Sequence, residues 1–396
     1  RVKLYFKFLF SIICNFFTQR KTLSDITLIV LCAGTSSRFG LKTKKQWLRI
    51  DSEPLWLYVT EKLQKHSTFD KVLVTSHKDE LNYMKNFSDD IIFVEGGDTR
   101  QESMINAMKE VTSEYVMISD VARACVPKSV IDELIINKNK ADCIVPYLNT
   151  SDTVVYNNET INRDQVKLIQ TPQLSLTNKL NKALKNASVF TDDSSAIKAN
   201  GGSIFYIPGS LDSTKLTFGK DLKKIPFLKS VSQDTFMGTG FDIHPFEPNK
   251  EMKLGGIKID VPYGFKAHSD GDVLIHSLID ALLGACSAGD IGEFFPDTNL
   301  QYKNIDSTLL LSKIVEFINN VGYVIVNIDL TIVAEKPKIN PYKLEIKNRI
   351  AELLDIRRYF VNIKATTSEK LGFVGRGEGV AVQSIATLKF YDWENK

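Results

Sequence analysis

At 396 residues the chain is long for a single hydrophobic core, so two domains of ordinary size are expected. Hydrophobic residues at 43% and charged residues at 24% are those of a globular protein, and a net charge of +3 argues against a broad nucleic-acid-binding surface. The five cysteines (Cys14, Cys32, Cys125, Cys143, Cys286) are scattered and form no C-x-x-C pair, which points away from a disulfide framework or thiolate zinc site and fits a reducing cytoplasm.

The chain opens with "RVKLYFKFLFSIICNFF", basic residues ahead of an apolar run. Lys7 interrupts it, it is short for a membrane span, and no small-residue cleavage site follows. We read residues 1–25 as an extension or amphipathic tail in preference to a targeting signal. From Ile26 short apolar runs alternate with amphipathic stretches: "DITLIVLCAG", "DKVLVTS", "DIIFVEGG" and "SEYVMISD" read as buried strands. That order predicts an α/β domain with a mostly parallel sheet, whose ligands gather at the carboxyl ends of the strands. Between Cys143 and Pro172, "TVVYNNETINRDQVKLIQTP" reads as a hairpin around Asn-Asn that projects as an arm and packs on a second subunit. "LTNKLNKALKNAS" reads as a helix and "GGSIFYIPGS" as a strand or loop. After the basic stretch Lys215 to Ser232, a fresh extended start at Met237 sets a domain boundary near residue 234, giving domains 26–233 and 234–396. The second has extended "EMKLGGIKID", helical "DVLIHSLIDALLGAC" and "DSTLLLSKIVEFINN", extended "YVIVNIDLTIVAE", helical "KLEIKNRIAELLD", then extended "FVNIKATT" and "AVQSIATLKFY". This is an α+β pattern with helices over one sheet face.

Chemistry concentrates in two places. "LCAGTSSRFG" follows a strand directly, and its small residues would let backbone N–H groups approach a phosphate, with Arg38 and Lys45 adding charge. A plain strand-to-helix turn is the competing reading. Neither a Walker loop nor a Rossmann fingerprint is present. "EGGDTRQES" and "SDVARA" each add an acid and an arginine after a strand, so Asp120 is a candidate ligand for a divalent ion while Arg100 and Arg123 neutralise phosphate or position loops. In the second half, three of the five histidines fall between Gly238 and Leu278. Asp242 and His244 alternate on an extended segment, and His276 follows Asp272 by four residues on a helix. One carboxylate and two imidazoles with an open position make a catalytic zinc pattern, although His268, Asp270 and Asp272 are also candidate ligands.

The first constellation resembles the nucleotidyltransferases, more narrowly the 2-C-methyl-D-erythritol 4-phosphate cytidylyltransferase family, over roughly Asp25 to Lys229. The resemblance implies a CTP phosphate loop at Ala33, Gly34 and Arg38 with Lys45 beside it, and a cytosine and ribose segment at Gly97, Asp98 and Ser103. Asp120 and Arg123 fall near the Mg²⁺ or Mn²⁺ ion, and Thr153, Arg163 and Lys215 at the methylerythritol phosphate, with Asp192 and Asp193 in support. Ser36 stands where the family has Gly, Lys44 where it has Pro, and Ala124 where it has Pro. A sugar-nucleotide or molybdopterin nucleotidyltransferase, or a domain retained as a scaffold, are the alternatives. The expected reaction is attack of the substrate phosphate on the α-phosphorus of CTP with loss of pyrophosphate.

The second constellation resembles the 2-C-methyl-D-erythritol 2,4-cyclodiphosphate synthase family from Met237 to Phe390, through "GTGFDIHPF", "AHSDGDVLIHSLIDALLGACSAGDIGEFFPD" and "KATTSEKLGFVGRGEG". It implies Zn²⁺ on Asp242, His244 and His276, phosphate contacts at His268, Ser269 and Thr367, and a methylerythritol pocket at Asp290, Gly292 and Asp297. A second divalent ion would sit on Glu369. The cytidine pocket would comprise Ala334, Pro337, Lys338, Ile339, Ala365 and Thr366, and Phe373 and Arg376 would lie near a trimer axis. The expected reaction is attack of the 2-phosphate of 4-CDP-2-C-methyl-D-erythritol 2-phosphate on the β-phosphorus, expelling CMP. Together the resemblances imply a bifunctional cytosolic enzyme of the non-mevalonate isoprenoid route, trimeric through the second domain and hexameric if the first also pairs.

Overall fold

The computed structural model describes residues 24–185, 189–225, 228–296, 298–302 and 304–395; the tract 1–23 and Asp297 therefore lie outside the described residues. The chain divides into two compact units, one of residues up to Thr35 with Trp56–Leu216, the other of Ser36–Leu55 with Thr217 onward. No helix among the described residues is long and apolar enough to cross a membrane.

In the first unit Ile26–Leu31 runs parallel between Tyr115–Asp120 and Val72–Ser76, with Ile92–Glu95 parallel beyond. Every residue of the two central strands is buried. Both sheet faces are covered, so these strands read as near-continuous apolar runs and not as alternation. Tyr115–Asp120 then pairs antiparallel with Gln173–Leu176, and that strand with Cys143–Asn149. Cys143–Asn149 also takes Ile204–Pro208 in parallel and Lys167–Ile169 antiparallel, completing a mostly parallel sheet of eight strands. Gln173–Leu176 is absent from the sequence reading: with Pro172 before it and the helix Thr177–Leu184 directly after, it is too short to show a period. The arm is a ladder of its own, Val154–Tyr156 on Glu159–Ile161. Its turn residues Asn157 and Asn158 have φ of 52° and 66°, the left-handed pair that a two-residue hairpin needs.

The second unit carries a five-stranded sheet in the order Tyr263–Phe265, Thr235–Pro248, Gly379–Phe390, Tyr323–Val333, Val361–Thr366. The helix Val273–Ala285 packs on the two strands Thr235–Pro248 and Gly379–Phe390. It lies unusually close, because Gly238 and Gly240 have no side chain. A Cβ on Gly240 would sit 1.9 Å from the Ser277 carbonyl oxygen, and one on Gly238 would sit 2.2 Å from that of Ala281. Gly240→Ala is therefore expected to destabilise this unit by on the order of 3 kcal/mol. A thermal melt of the variant should show its second unit unfolding first; an unchanged melt would contradict the close approach.

Ser36–Leu55 packs with this unit although the sequence boundary at 234 groups it with the first. Arg49, 1% exposed, explains the attachment. Its guanidinium lies 4.7 Å from the Phe390 ring and 5.2 Å from that of Tyr323 and donates to the Val321 carbonyl, while its own carbonyl accepts from the Trp393 indole. Gly322, with φ +91°, lets the Trp47 carbonyl approach.

Candidate active sites

At the carboxyl ends of the first sheet, Leu31 and Asp120 are neighbours in register, and the chain leaves Leu31 into Ala33 and Gly34. A Cβ on Gly96 would fall 2.2 Å from the Ala33 Cβ and 2.9 Å from Ser103 Oγ, so the candidate phosphate loop and cytosine segment abut there. Sequence reasoning passed over Gly96. Ser103 Oγ accepts from the Gly97 N–H and donates to the Thr99 carbonyl, shaping this loop, while Asp98 stays exposed. Asp120 accepts from Arg100 Nε at 3.1 Å and from Lys215 Nζ at 2.7 Å. Burial disfavours its charge, yet Arg100 and Lys215 hold its carboxyl well below the usual range. Arg100 also donates to Asp193 Oδ1 at 3.0 Å. Against the effect of burial, Asp193 and Asp120 keep that guanidinium more firmly charged than a free arginine. Asp193 is fully buried and its Oδ2 has no hydrogen-bond partner, so burial pushes this carboxyl up to about 6. Asp192 caps the helix Asp193–Ala199 through the Ser195 N–H. Arg123 spends its guanidinium on the Ser213 and Ile169 carbonyls, the loop-positioning alternative raised above. Thr153 and Arg163 stand exposed on or beside the arm, Arg163 donating to the Ser151 carbonyl.

Arg38 and Lys45 belong to the segment packed in the second unit. The departures from the family pattern acquire physical reasons there. Ser36 has φ 58°, the left-handed conformation that favours glycine, and its hydroxyl accepts from the Lys45 N–H and donates to Gln46. Lys44 has φ −67°, which proline would match, but its N–H donates to the Asn320 carbonyl, a bond proline lacks. Ala124, in the first unit, is simply buried.

In the second unit Asp242, His244 and His276 converge, one ligand atom from each lying within 4.8 Å of the others. The close helix-to-strand approach at Gly238 and Gly240 brings His276 to the strand. His244 Nε2 lies 3.1 Å and His276 Nδ1 3.4 Å from Asp242 Oδ2. His244 Nδ1 donates to the Gly271 carbonyl at 2.8 Å, which can only accept, so in the neutral ring the Nε2 lone pair faces Asp242. Asp242 Oδ2 is buried and receives no hydrogen bond. Burial disfavours an imidazolium at His244, but Asp242 raises its pKa overall, so this oxygen attracts positive charge, whether proton or metal ion. The other candidates lie outside the triad: Asp272 is fully buried and accepts from the Gly255, Gly256 and Ile275 N–H groups, Asp270 accepts from Ser307, and His268 is exposed.

A cavity of about 400 Å³ opens beside the triad, lined among others by His268, Ser269, Gly292, Asp280 and Phe295. Asp290 caps the short helix Ile291–Phe294 by accepting from the Gly292 and Glu293 N–H groups. A separate cluster forms where Tyr323–Val333 and Val361–Thr366 end. The Ala334 N–H donates to the Thr366 carbonyl, Pro337 and Ile339 are buried, and Lys338 is exposed. Thr367 Oγ1 donates to Glu369 Oε1 at 2.9 Å. Glu335, another residue the sequence reading missed, clamps this turn by accepting from the Ser368 and Lys370 N–H groups. Phe373 and Arg376 follow on the short helix Gly372–Gly375 and just past it, with Arg376 paired to Glu378.

Residues 26–229 match the family 2-C-methyl-D-erythritol 4-phosphate cytidylyltransferase, and residues 235–389 match the YgbB family. The "Bifunctional enzyme IspD/IspF" of Aliarcobacter butzleri is 66% identical over 94% of this chain and 100% of its own length. The chain belongs to the bifunctional IspD/IspF family. A relative of the same name from Sulfurimonas denitrificans is 53% identical over 94% of this chain and 96% of its own length. The solved "Structure of the Bifunctional IspDF from Campylobacter jejuni" superposes with a TM-score of 0.83 at 48% identity, covering 93% of this chain and all of that one. IspD/IspF enzymes of the non-mevalonate isoprenoid pathway join two activities, cytidylyl transfer to 2-C-methyl-D-erythritol 4-phosphate and formation of 2-C-methyl-D-erythritol 2,4-cyclodiphosphate, and this chain is an enzyme of that kind. Both parts of the family use divalent metal ions, and the Asp242, His244 and His276 triad has the chemistry to hold one.

Proposed function

We propose that the cytidylyltransferase site is built from Ala33, Gly34, Arg38, Lys45, Gly97, Asp98, Ser103, Asp120, Arg123 and Lys215, with Thr153 and Arg163 reaching substrate from the arm. Asp120, held ionised by Arg100 and Lys215, supports this reading: a carboxylate kept charged at a strand's carboxyl end suits Mg²⁺ or Mn²⁺. Lys45 and Lys215 offset the charge that builds on the α-phosphate oxygens as pyrophosphate leaves.

The synthase site, in the same proposal, is the Asp242, His244 and His276 triad carrying Zn²⁺, and the observation that carries it is the convergence of one carboxylate and two imidazole ligand atoms within 4.8 Å of one another. Bound there, zinc supplies a Lewis acid that orients and neutralises the attacking 2-phosphate. His268 and Ser269 hold that phosphate, while Asp290, Gly292 and Asp297 seat the methylerythritol. Glu369 would hold a second Mg²⁺ or Mn²⁺ ion, which would draw charge toward the leaving CMP, with Thr367 beside it. Ala334, Pro337, Lys338, Ile339, Ala365 and Thr366 take the cytidine of the leaving CMP.

The cavity and the cytidine cluster are separate groups in one chain, which fits sites completed between subunits of a trimer. Met237, Phe241 and Ile243 favour the same assembly, since they leave an apolar stripe exposed on the strand Thr235–Pro248. Phe373 and Arg376 belong near its axis, and the arm would pair trimers into a hexamer. The four described cysteines are buried, and the cytoplasm is the compartment of this reading.

Purified protein should release pyrophosphate from CTP with 2-C-methyl-D-erythritol 4-phosphate and release CMP from the diphosphate substrate, in particles containing a multiple of three chains. Chelation should stop both reactions, Mg²⁺ restoring the first and Zn²⁺ with Mg²⁺ the second. Cyclisation that survives complete metal removal would sink the triad's assignment.

A further inference from the structure

His244 owes its orientation to a backbone carbonyl, but His276 is held by side chains. Its Nε2 lies 3.1 Å from Ser269 Oγ and 3.0 Å from Ser307 Oγ. Ser307, fully buried at the start of the helix Ser307–Asn320, donates its hydroxyl proton to Asp270 Oδ1 at 2.5 Å, and its N–H donates to the other oxygen of that carboxylate at 3.2 Å. Asp270 is itself held in place by its N–H to the Ile305 carbonyl and by Lys253 at 3.5 Å.

A serine hydroxyl has a single proton. With that proton committed to Asp270, Ser307 offers His276 only lone pairs, so the ring must present Nε2–H to it. The Nδ1 lone pair is then left facing Asp242. His244 reaches the same end with the opposite nitrogen, since its Nδ1 donates to Gly271. We propose that Asp270 and Ser307 form a relay that fixes the tautomer and ring orientation of His276, making both positioning residues of the metal centre. The proposal rests on the reading of the triad as a metal site. Groups placed behind a ligating histidine in this way typically account for about 10- to 100-fold in metal affinity.

Titrating the full-length protein with Co²⁺ tests the relay through both affinity and the visible spectrum of the bound ion. Ser307→Ala and Asp270→Asn are expected to weaken Co²⁺ binding at the triad by about 10- to 100-fold and to shift its absorption bands, while the metal-free proteins melt like the parent. Ser307→Thr, which keeps the hydroxyl, should restore both. Parental affinity and spectrum in Ser307→Ala and Asp270→Asn would overturn the relay. So would losses of affinity matched in both variants by a lowered melting temperature of the metal-free protein, since the role would then be structural. A parent protein whose Co²⁺ binding is unaffected by His276→Ala would instead overturn the metal site itself, and the relay with it.

Discussion

His244→Ala is expected to lower cyclodiphosphate formation by more than the roughly 100-fold that loss of a group behind a ligand costs, while cytidylyl transfer stays within about twofold of the parent. The ring contributes a directed lone pair, fixed by the Gly271 carbonyl, at the point where Asp242 and His276 also aim theirs. On the proposed reading, removing one of three ligands weakens the metal's seat and frees the attacking phosphate to move. The first unit has its own charged cluster, in which Asp120 pairs with Arg100 and Lys215, and Arg100 with Asp193. CMP release and pyrophosphate release, assayed separately on one preparation, would check the outcome. Equal loss of both in a folded protein would contradict independent sites.

Asp120→Ala should do the reverse, lowering cytidylyl transfer by at least about 100-fold and sparing cyclisation. It should also cost stability. Asp120 is 8% exposed and neutralises Arg100 and Lys215 together. Solvent screens the exposed Lys215, and Arg100 keeps Asp193, so losing this carboxylate costs about 1–3 kcal/mol and not the full penalty of a buried unpaired charge. For a unit of this size that lowers the melting temperature by roughly 2–12 °C. The sign of the pH dependence follows from the direction of the shift. A carboxyl whose folded pKa is depressed contributes fully above its unfolded pKa of about 4 and loses that contribution as the pH falls below it. Parent and variant stabilities should therefore differ at neutral pH and converge in acid. Scanning calorimetry across that range would reveal it, and a constant difference down to the acid limit would refute the pairing.

The motifs most legible in the sequence were those whose geometry is local. Asp242 and His244 share a strand face by the twofold period, and Asn157 and Asn158 mark a tight turn by their tolerance of positive φ. The strands Ile26–Leu31 and Tyr115–Asp120 were legible because burial on both faces leaves unbroken apolar runs. Gln173–Leu176 was not, since four residues carry no readable period. Ser36 and Lys44 looked like losses of a glycine and a proline, yet the first adopts the left-handed conformation and the second uses its N–H.

The sequence by itself determined the two domains' chemistry, because strand period, turn residues and the spacing of acids and histidines are properties of neighbouring positions along the chain. Among the acids that spacing left open, tertiary structure decided which one faces both histidines. Asp242, Asp270 and Asp272 are chemically the same, and only the packing of the helix against Gly238 and Gly240 assigns one to the histidines, one to a serine and one to backbone N–H groups. It decided as well that Ser36–Leu55 folds with the second unit. That attachment rests on Arg49 meeting Tyr323 and Phe390, a contact across more than 270 residues of chain that no local pattern encodes.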